Sequence, residues 1–398
     1  MAKNTGIDNT PAIVIKLDSI TGLDTARILS GYGIPVYGIA DDRRHYCTKT
    51  GACRGVFFTD TSGDGLVGML LDLAAKFKSK PVLFPCSDES VRLISARRET
   101  LREFYNFVIP DDDVLLMYMN KESFYRRACQ KGFPVPDTFL LETGSGLESL
   151  SDEAEFPLIV KPALKSPEWI ECFKDKVIKV NTRAELGGVI ERASKITKGI
   201  IVQKWIKGGD SNLVSSIFYY GRNGALQASF VSRKLRQWYT ENGDACLAEE
   251  CRNDEVARIA RELLSGTGFS GIGSIEFKLD DESGEYYILE ANVGRPVTRI
   301  GMTEAAGVPV LYTMYCDASG LPLPRDREQK YRGTKWISFH RDLQASWKYY
   351  RDGKLTIWGW LKSLYGVRSF AVLSLRDPMP FISLVGDGLS GLFKNPAK

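Results

Sequence analysis

Between residues 271 and 296 the chain reads GIGSIEFKLDDESGEYYILEANVGRP. Two runs of alternating apolar and polar residues flank DDESG, which is turn chemistry, so the segment predicts a β-hairpin. With the loop centred on Ser283, Glu276 falls opposite Glu290 and Ser274 opposite Asn292. Side chains alternate along a strand, which puts Glu276, Glu290 and Asn292 on one face. Two carboxylates directly opposite each other lie about 5 Å apart and repel, unless something positive sits between them. Oxygen-only donors from two Glu and an Asn suit a hard cation, and Mg²⁺ carrying nucleotide phosphates is the natural one. A solvated acidic hairpin is the bland alternative. Ile275, Phe277, Ile288 and Leu289 weigh against it, because they make both strands heavily apolar.

A cation made to carry phosphates needs positive side chains around it. Lys161 ends a buried run, PLIVKPA, where a lone ammonium is expensive without an anion. Lys121 sits in the first turn of a predicted helix, against the dipole. Each on its own is a weak sign, since a lysine at a strand end is usually just snorkelling. The run IIVQKWIKGGD leaves an apolar strand through Gln203, Lys204, Trp205 and Ile206 before Gly208, Gly209 and Asp210. Exposed backbone there can bond an adenine edge, with Trp205 or Ile206 as apolar contact and Asp210 accepting from a sugar hydroxyl. A plain strand exit with a turn is the competing reading. Arg233, Lys234 and Arg236 lie late on a strand, and Arg233 or Lys234 is expected to touch phosphate or an activated substrate; a solvated basic strand end is the alternative.

These residues must be positioned by a mixed fold. Strands over 12–17, 36–40, 56–59 and 82–85 alternate with helical spacing from Leu23 and over 65–77, which predicts a parallel sheet covered on both faces. Ser87 and Asp88 are cap candidates for the next helix, and Asn120 opens another that ends at Gly132 before two prolines. Strands over 156–161 and 200–203 flank a helix over 183–194. Longer alternating strands over 213–220, 225–235, 271–279 and 286–291 signal an antiparallel region. Substrate specificity is expected at the carboxyl edge of the first sheet, around 18–22, 41–45 and 87–89.

The composition narrows the class. The chain has 398 residues and a formal net charge of +4, which gives no argument for a nucleic-acid partner. Eight cysteines without a CxxC pair, with His45 and His340 as the two histidines, support neither a zinc site nor a disulfide scaffold and suit a reducing cytoplasm. No signal-peptide pattern opens the sequence and no apolar run is long enough to span a bilayer, so a cytoplasmic location is expected.

In order and spacing, Lys121, Lys161, QKWIKGGD and the pair IEF and LEAN resemble ATP-grasp ligases. QKWIKGGD resembles the hinge of D-alanine–D-alanine ligases, and YYILEAN their metal-binding strand. PCSDESVRLISARRETL, KGFPVPDTF, EAAGVPVLYTMY and DPMPF are similar to the ATP-grasp carboligases typified by D-aspartate ligase, so the resemblance covers nearly the whole chain. It implies an α/β and α+β ATP-grasp fold. Its parts would be an N-terminal parallel α/β (pre-ATP-grasp) domain over 1–115, a lid and central subdomain over 116–205, a catalytic subdomain over 206–325 and a C-terminal helical extension over 326–398. Residue by residue, it implies phosphate contacts from Lys121 and Lys161 and adenine contacts at Gln203, Lys204 and Ile206. Asp210 would meet the ribose, and Glu276, Glu290 and Asn292 would bind Mg²⁺. ATP and two Mg²⁺ ions are the implied cofactors, with Mn²⁺ as a substitute.

Three positions depart from the pattern. The lid segment KPALKSPEWIECFKDKVIKV has no glycine, so Lys165, Ser166 or Lys176 would cover the phosphates. Ser274 stands where the D-alanine ligases carry Arg. Asn292-Val293-Gly294-Arg295 replaces an Asn-Pro-Arg ending, leaving Arg295 or Arg299 to supply the cation. The implied chemistry joins a small-molecule carboxylate (an amino acid or a sugar acid among the choices) to an amine through an acyl phosphate, with no covalent protein nucleophile. A bicarbonate-activating carboligase of the biotin-carboxylase or carbamoyl-phosphate type, or a degenerate nucleotide sensor or scaffold, are the rival readings. The stretch from Trp336 to Leu375 interleaves Trp and Tyr with basic residues. It reads either as a helical extension packing on the core or as a peripheral membrane contact. Homodimer formation is left open.

Overall fold

The wholly buried strand β1 (Ala12–Ile15) sends Ala12 and Val14 into one apolar cluster and Ile13 and Ile15 into another, so both of its faces are covered. The computed structural model describes residues 10–142, 155–163, 167–240 and 243–394. β1 pairs in parallel with β2 (Val36–Ala40) and β4 (Val82–Pro85), and β2 with β3 (Gly55–Phe58), in the order β3-β2-β1-β4. Helix α1 (Ile20–Gly31) connects β1 to β2, α2 (Asp64–Ala74) connects β3 to β4, and α3 (Asp88–Ala96) follows β4. α1 starts earlier than its apolar spacing suggests, because Ser19 caps it by accepting from the Gly22 N–H. Ser87 caps α3 in a reciprocal pair with Ser90. The short α4 (Arg98–Arg102) leads to α5 (Asp112–Met119) and α6 (Lys121–Gln130), the latter capped by Asn120.

A second sheet follows, formed by β5 (Thr138–Glu142), β6 (Leu158–Pro162), β7 (Ile178–Val180) and β8 (Gly199–Lys204), antiparallel in the order β5-β8-β6-β7. α7 (Pro167–Phe173) and α8 (Arg183–Ala193) connect its strands, and Trp169, Leu186 and Ile190 join its apolar cluster.

The third and largest sheet has seven strands: β9 (Leu213–Tyr220), β10 (Leu226–Trp238), β11 (Asp244–Glu250), β12 (Gly271–Leu279), β13 (Tyr286–Val293), β14 (Lys335–Ile337) and β15 (Val367–Phe370). Their order is β13-β12-β9-β10-β11-β14-β15. Between them lie α9 (Asp254–Leu264), α10 (Gly301–Ala305), α11 (Val310–Ala318), α12 (Phe339–Arg351) and α13 (Ile357–Ser363), and α14 (Met379–Lys394) follows β15. α9 buries Val256, Ile259, Ala260, Leu263 and Leu264, a helical stripe that packs with Phe218 and Phe277 of the sheet. Ile217, Tyr219 and Phe230 face the other way, into the cluster that includes Leu311 and Met314 of α11. The region expected as a helical extension is therefore only partly helical. β14 (KWI) and β15 (VRSF) lack the apolar runs that mark the similarly short β3 and β4, yet they extend the main sheet, β14 pairing with β11 and β15 with β14. Among the described residues no helix is long and apolar enough to cross a membrane. All eight cysteines are free.

Candidate active site

The hairpin β12–β13 has the register that its turn placement predicts: Glu276 pairs with Glu290 and Ser274 with Asn292. Both glutamates and Asn292 line a cavity of about 440 Å³, whose walls come from the second and third sheets and from α6. Lys234 of β10 donates to Glu276 Oε1 at 3.0 Å. Asn292 Nδ2 donates to Glu290 Oε1 at 3.1 Å, while its Oδ1 accepts from Arg295 at 2.8 Å. Ligation by Asn292 would thus require its amide to turn over. Among the described residues no group of three His, Cys, Asp or Glu side chains could hold a metal. The donor set at this wall is two carboxylates and an amide, which fits a hard cation that completes its shell with water and phosphate oxygens.

Lys161, at the end of β6, is 7 % exposed. Its ammonium donates to Tyr125 Oη at 2.8 Å and to Gln203 Oε1 at 2.9 Å. Burial pulls its pKa down to about 8, partly offset by the Glu290 carboxylate. Tyr125 in turn donates to the Leu289 carbonyl, which ties α6 to β13. Gln203 is fully buried and donates to Thr138, so its side chain is taken up in positioning Lys161. Lys204 lines the cavity, with its ammonium 2.7 Å from Glu155. Trp205 lies between two ammonium groups, Lys179 at 4.4 Å and Lys278 at 4.3 Å from its ring centre. Ile206 is buried on the same wall, and Lys121 lines it from the start of α6.

Asp210 lines an adjoining cavity that shares Trp205, Leu213, Gln237 and Lys278 with the first. Its carboxylate accepts from the Gln237 backbone N–H at 3.0 Å, from Gln237 Nε2 at 2.8 Å and from the Tyr349 hydroxyl of α12. Gln237 Oε1 accepts from Lys234 at 3.3 Å. A polar chain therefore runs from Glu276 through Lys234, Gln237 and Asp210 to Tyr349.

Comparison with known proteins gives the frame for this geometry. No family model matches the chain. It is 25% identical over 226 residues to the D-aspartate ligase of Enterococcus faecium, covering 54% of this chain and 53% of that one. It is 28% identical over 190 residues to a D-alanine–D-alanine ligase of Dechloromonas aromatica, covering 45% and 57%. The chain thus spans about half the length of these relatives. Among solved structures, an N5-carboxyaminoimidazole ribonucleotide synthetase in complex with ADP superposes with a TM-score of 0.63 at 14% identity, covering 82% of this chain and 81% of its own. Biotin carboxylase from Campylobacter jejuni gives 0.63 at 14% identity, covering 80% and 73%. An L-amino acid ligase from Bacillus licheniformis gives 0.59 at 13%, covering 83% and 79%. The chain has the ATP-grasp fold.

Within the ATP-grasp fold, the cavity gathers Lys121, Lys161, Gln203, Lys204, Trp205, Ile206, Lys234, Glu276, Glu290, Asn292, Arg295 and Arg299 on its walls. Arg233 is not among them. It neighbours Lys234 on a strand, so it projects to the opposite face and pairs with Glu249. Arg236 is buried against Asp342 of α12 at 2.8 Å. Arg295 pairs with Asp88 at the start of α3, linking the first sheet to the cavity. Gly294 makes that turn possible: its φ is +80°, and a Cβ there would meet Val91 Cγ1 at 2.6 Å. Arg299 is buried and bonds the Ser232 and Ser215 hydroxyls, with no carboxylate in ion-pair range among the described residues. Of the segment expected to cover the phosphates, Lys165 and Ser166 lie outside the described residues. Lys176 lines the cavity and reaches Asp244 of β11 at 3.4 Å.

Sequence reasoning missed several residues here. Lys278 was within reach of it, since it lies two residues beyond Glu276 on an alternating strand and hence on the same face. Tyr125, Gln237 and Tyr349 carried no such signal, because their contacts span distant parts of the chain.

Proposed function

We propose that the chain is an ATP-dependent, Mg²⁺-requiring ligase that joins a small-molecule carboxylate to an amine through an acyl phosphate, releasing ADP and phosphate. The observation that carries this reading is the pairing of Glu276 with Glu290 on one wall of a cavity that also holds Lys121, Lys161 and Lys234. Two carboxylates facing three ammonium groups match a metal–nucleotide complex better than any one-charge ligand. The relatives' names, D-aspartate ligase and D-alanine–D-alanine ligase, agree with it.

In this scheme Glu276, Glu290 and a turned Asn292 hold the cation, which supplies charge neutralisation at the phosphates when bound. The backbone of residues 203–206 and the Trp205 ring seat the base, and Asp210 accepts from the sugar. Lys121 and Lys161 bind phosphate oxygens, and Lys234 faces the γ end beside Glu276. A substrate carboxylate oxygen attacks the γ-phosphorus as the bond to ADP breaks. The amine then attacks the acyl carbon, phosphate departs and the nitrogen loses its proton. Arg295 and Arg299 hold the anionic substrate groups in line, so catalysis rests on positioning and electrostatics.

A coupled ADP-release screen over paired carboxylates and amines, bicarbonate included, tests the reading. Oxygen-18 in the substrate carboxylate should appear in the released phosphate. Glu276→Ala or Glu290→Ala is expected to lower turnover by roughly a hundredfold or more. Nucleotide binding without substrate-dependent ADP release would instead make the chain a sensor and end the ligase proposal.

A further inference from the structure

α12 has two contrasting faces. Asp342, Ala345 and Ser346 are buried against the sheet, and Tyr349 bonds Asp210 from the same side. The opposite side exposes Leu343, Trp347 and Tyr350, spaced as one helical stripe, with the Trp347 and Tyr350 rings stacked 5.9 Å apart. α13 continues the pattern. Its Trp360 turns inward to bond Asp342 at 3.0 Å, whereas Trp358 is 81 % exposed and Tyr365, just beyond the helix, is 87 % exposed. Large aromatic groups held out in water by an already satisfied inner face need a reason of their own.

The charge on this face supplies one. Between residues 343 and 368 the exposed Lys348, Arg351, Lys362 and Arg368 are set against Asp352 alone, while Lys354 lines the cavity that holds Asp210. We infer that the α12–α13 face rests on an anionic lipid surface. Trp347, Trp358 and Tyr365 sit at headgroup depth, and the lysine and arginine stems snorkel between them to the lipid phosphates. A second copy of the chain is a poor occupant, since a two-fold contact would press four basic residues against the same four. The attachment is peripheral, as no described helix is long and apolar enough to span. This inference does not depend on the ligase reading, since it concerns the outer side of helices whose inner side meets the cavity.

Flotation of the full chain with vesicles tests it. The protein should co-float with phosphatidylglycerol–phosphatidylcholine vesicles at low salt, stay behind with pure phosphatidylcholine, and dissociate as NaCl is raised. W358S/Y365S should weaken partitioning by about tenfold or more. K348Q/R351Q/K362Q should weaken it by roughly fivefold per charge. A retained melting transition and unchanged ADP affinity show that each variant is folded; if W358S/Y365S fails that check, W358S alone is read instead. Absence of binding to anionic vesicles, or equal binding to neutral ones, overturns the inference. So does a dimer in light scattering that W347S converts to monomer, which would give the face to a second copy.

Discussion

At the scale of single residues, Lys161 is the informative case. Its ammonium is held by a phenol and an amide while burial drags its pKa down to about 8, a costly arrangement for a side chain without an anionic ligand. Lys161→Met should therefore weaken ADP affinity by about 1.5–3 kcal/mol, roughly ten- to a hundredfold, measured by calorimetry. The adjacent pair at 233 and 234 provides a contrast. Lys234→Met should cut turnover sharply, because it removes the cation beside Glu276. Arg233→Ala should leave turnover within about twofold, since its pair with Glu249 is on the far face and half-exposed. Equal effects at both positions would mean that the strand's alternation had been misassigned.

At the scale of elements, α12 is fastened to β10 by the Arg236–Asp342 pair, in which Arg236 Nε and Nη2 reach the two carboxylate oxygens at 2.8 and 3.0 Å. Asp342 is fully buried and also receives the Trp360 indole at 3.0 Å. Removing one member of such a pair strands the other in a dry site, so Asp342→Ala should cost about 3–5 kcal/mol in urea unfolding. Because Tyr349 lies on the same helix, the variant should also bind ADP more weakly. Tyr349→Phe separates the two effects: it removes the bond to Asp210 and leaves the buried ion pair intact.

For the whole molecule, two buried carboxyls make stability fall as pH rises towards neutrality, while His340, pulled down to about 4 by burial, acts the other way below its ordinary 6.5. Asp24 of α1 and Glu304 of α10 are each pushed up to about 7, chiefly by burial. Glu304 accepts from Tyr32 Oη at 2.9 Å and from the Leu311 N–H at 3.1 Å, which only partly offsets that burial. Their ordinary values are 3.8 and 4.5, so between those values and about 7 the folded state holds more protons than the unfolded one. Their contribution to stability is thus greatest below that window and is lost as pH rises through about 7. The melting temperature should fall between pH 6.5 and 7.5, above the ordinary value of His340, and Glu304→Gln should flatten the slope. A melting temperature that rises over this range would contradict the assignment.

Much of the candidate site's geometry was legible in the chain itself. Period-two alternation and the DDESG turn specify the hairpin register, and a one-residue slip would bury Glu276 and expose Ile275, so Glu276 and Glu290 had to face each other. The same alternation separates Lys234 from Arg233. The carboxylates, lysines and hinge residues could be picked out because charge in an apolar strand is conspicuous locally. Tertiary structure alone decided what each of these groups touches. It placed Tyr125 beneath Lys161, gave the Asn292 oxygen to Arg295, and joined Asp210 to a helix 139 residues further on. It also turned part of the C-terminal region into strands β14 and β15, which lack the apolar runs that mark the similarly short β3 and β4. The division has one physical cause. Backbone alternation is a local property written into neighbouring residues, whereas hydrogen-bond partners and short edge strands depend on which distant segments the packed core brings within about 3 Å.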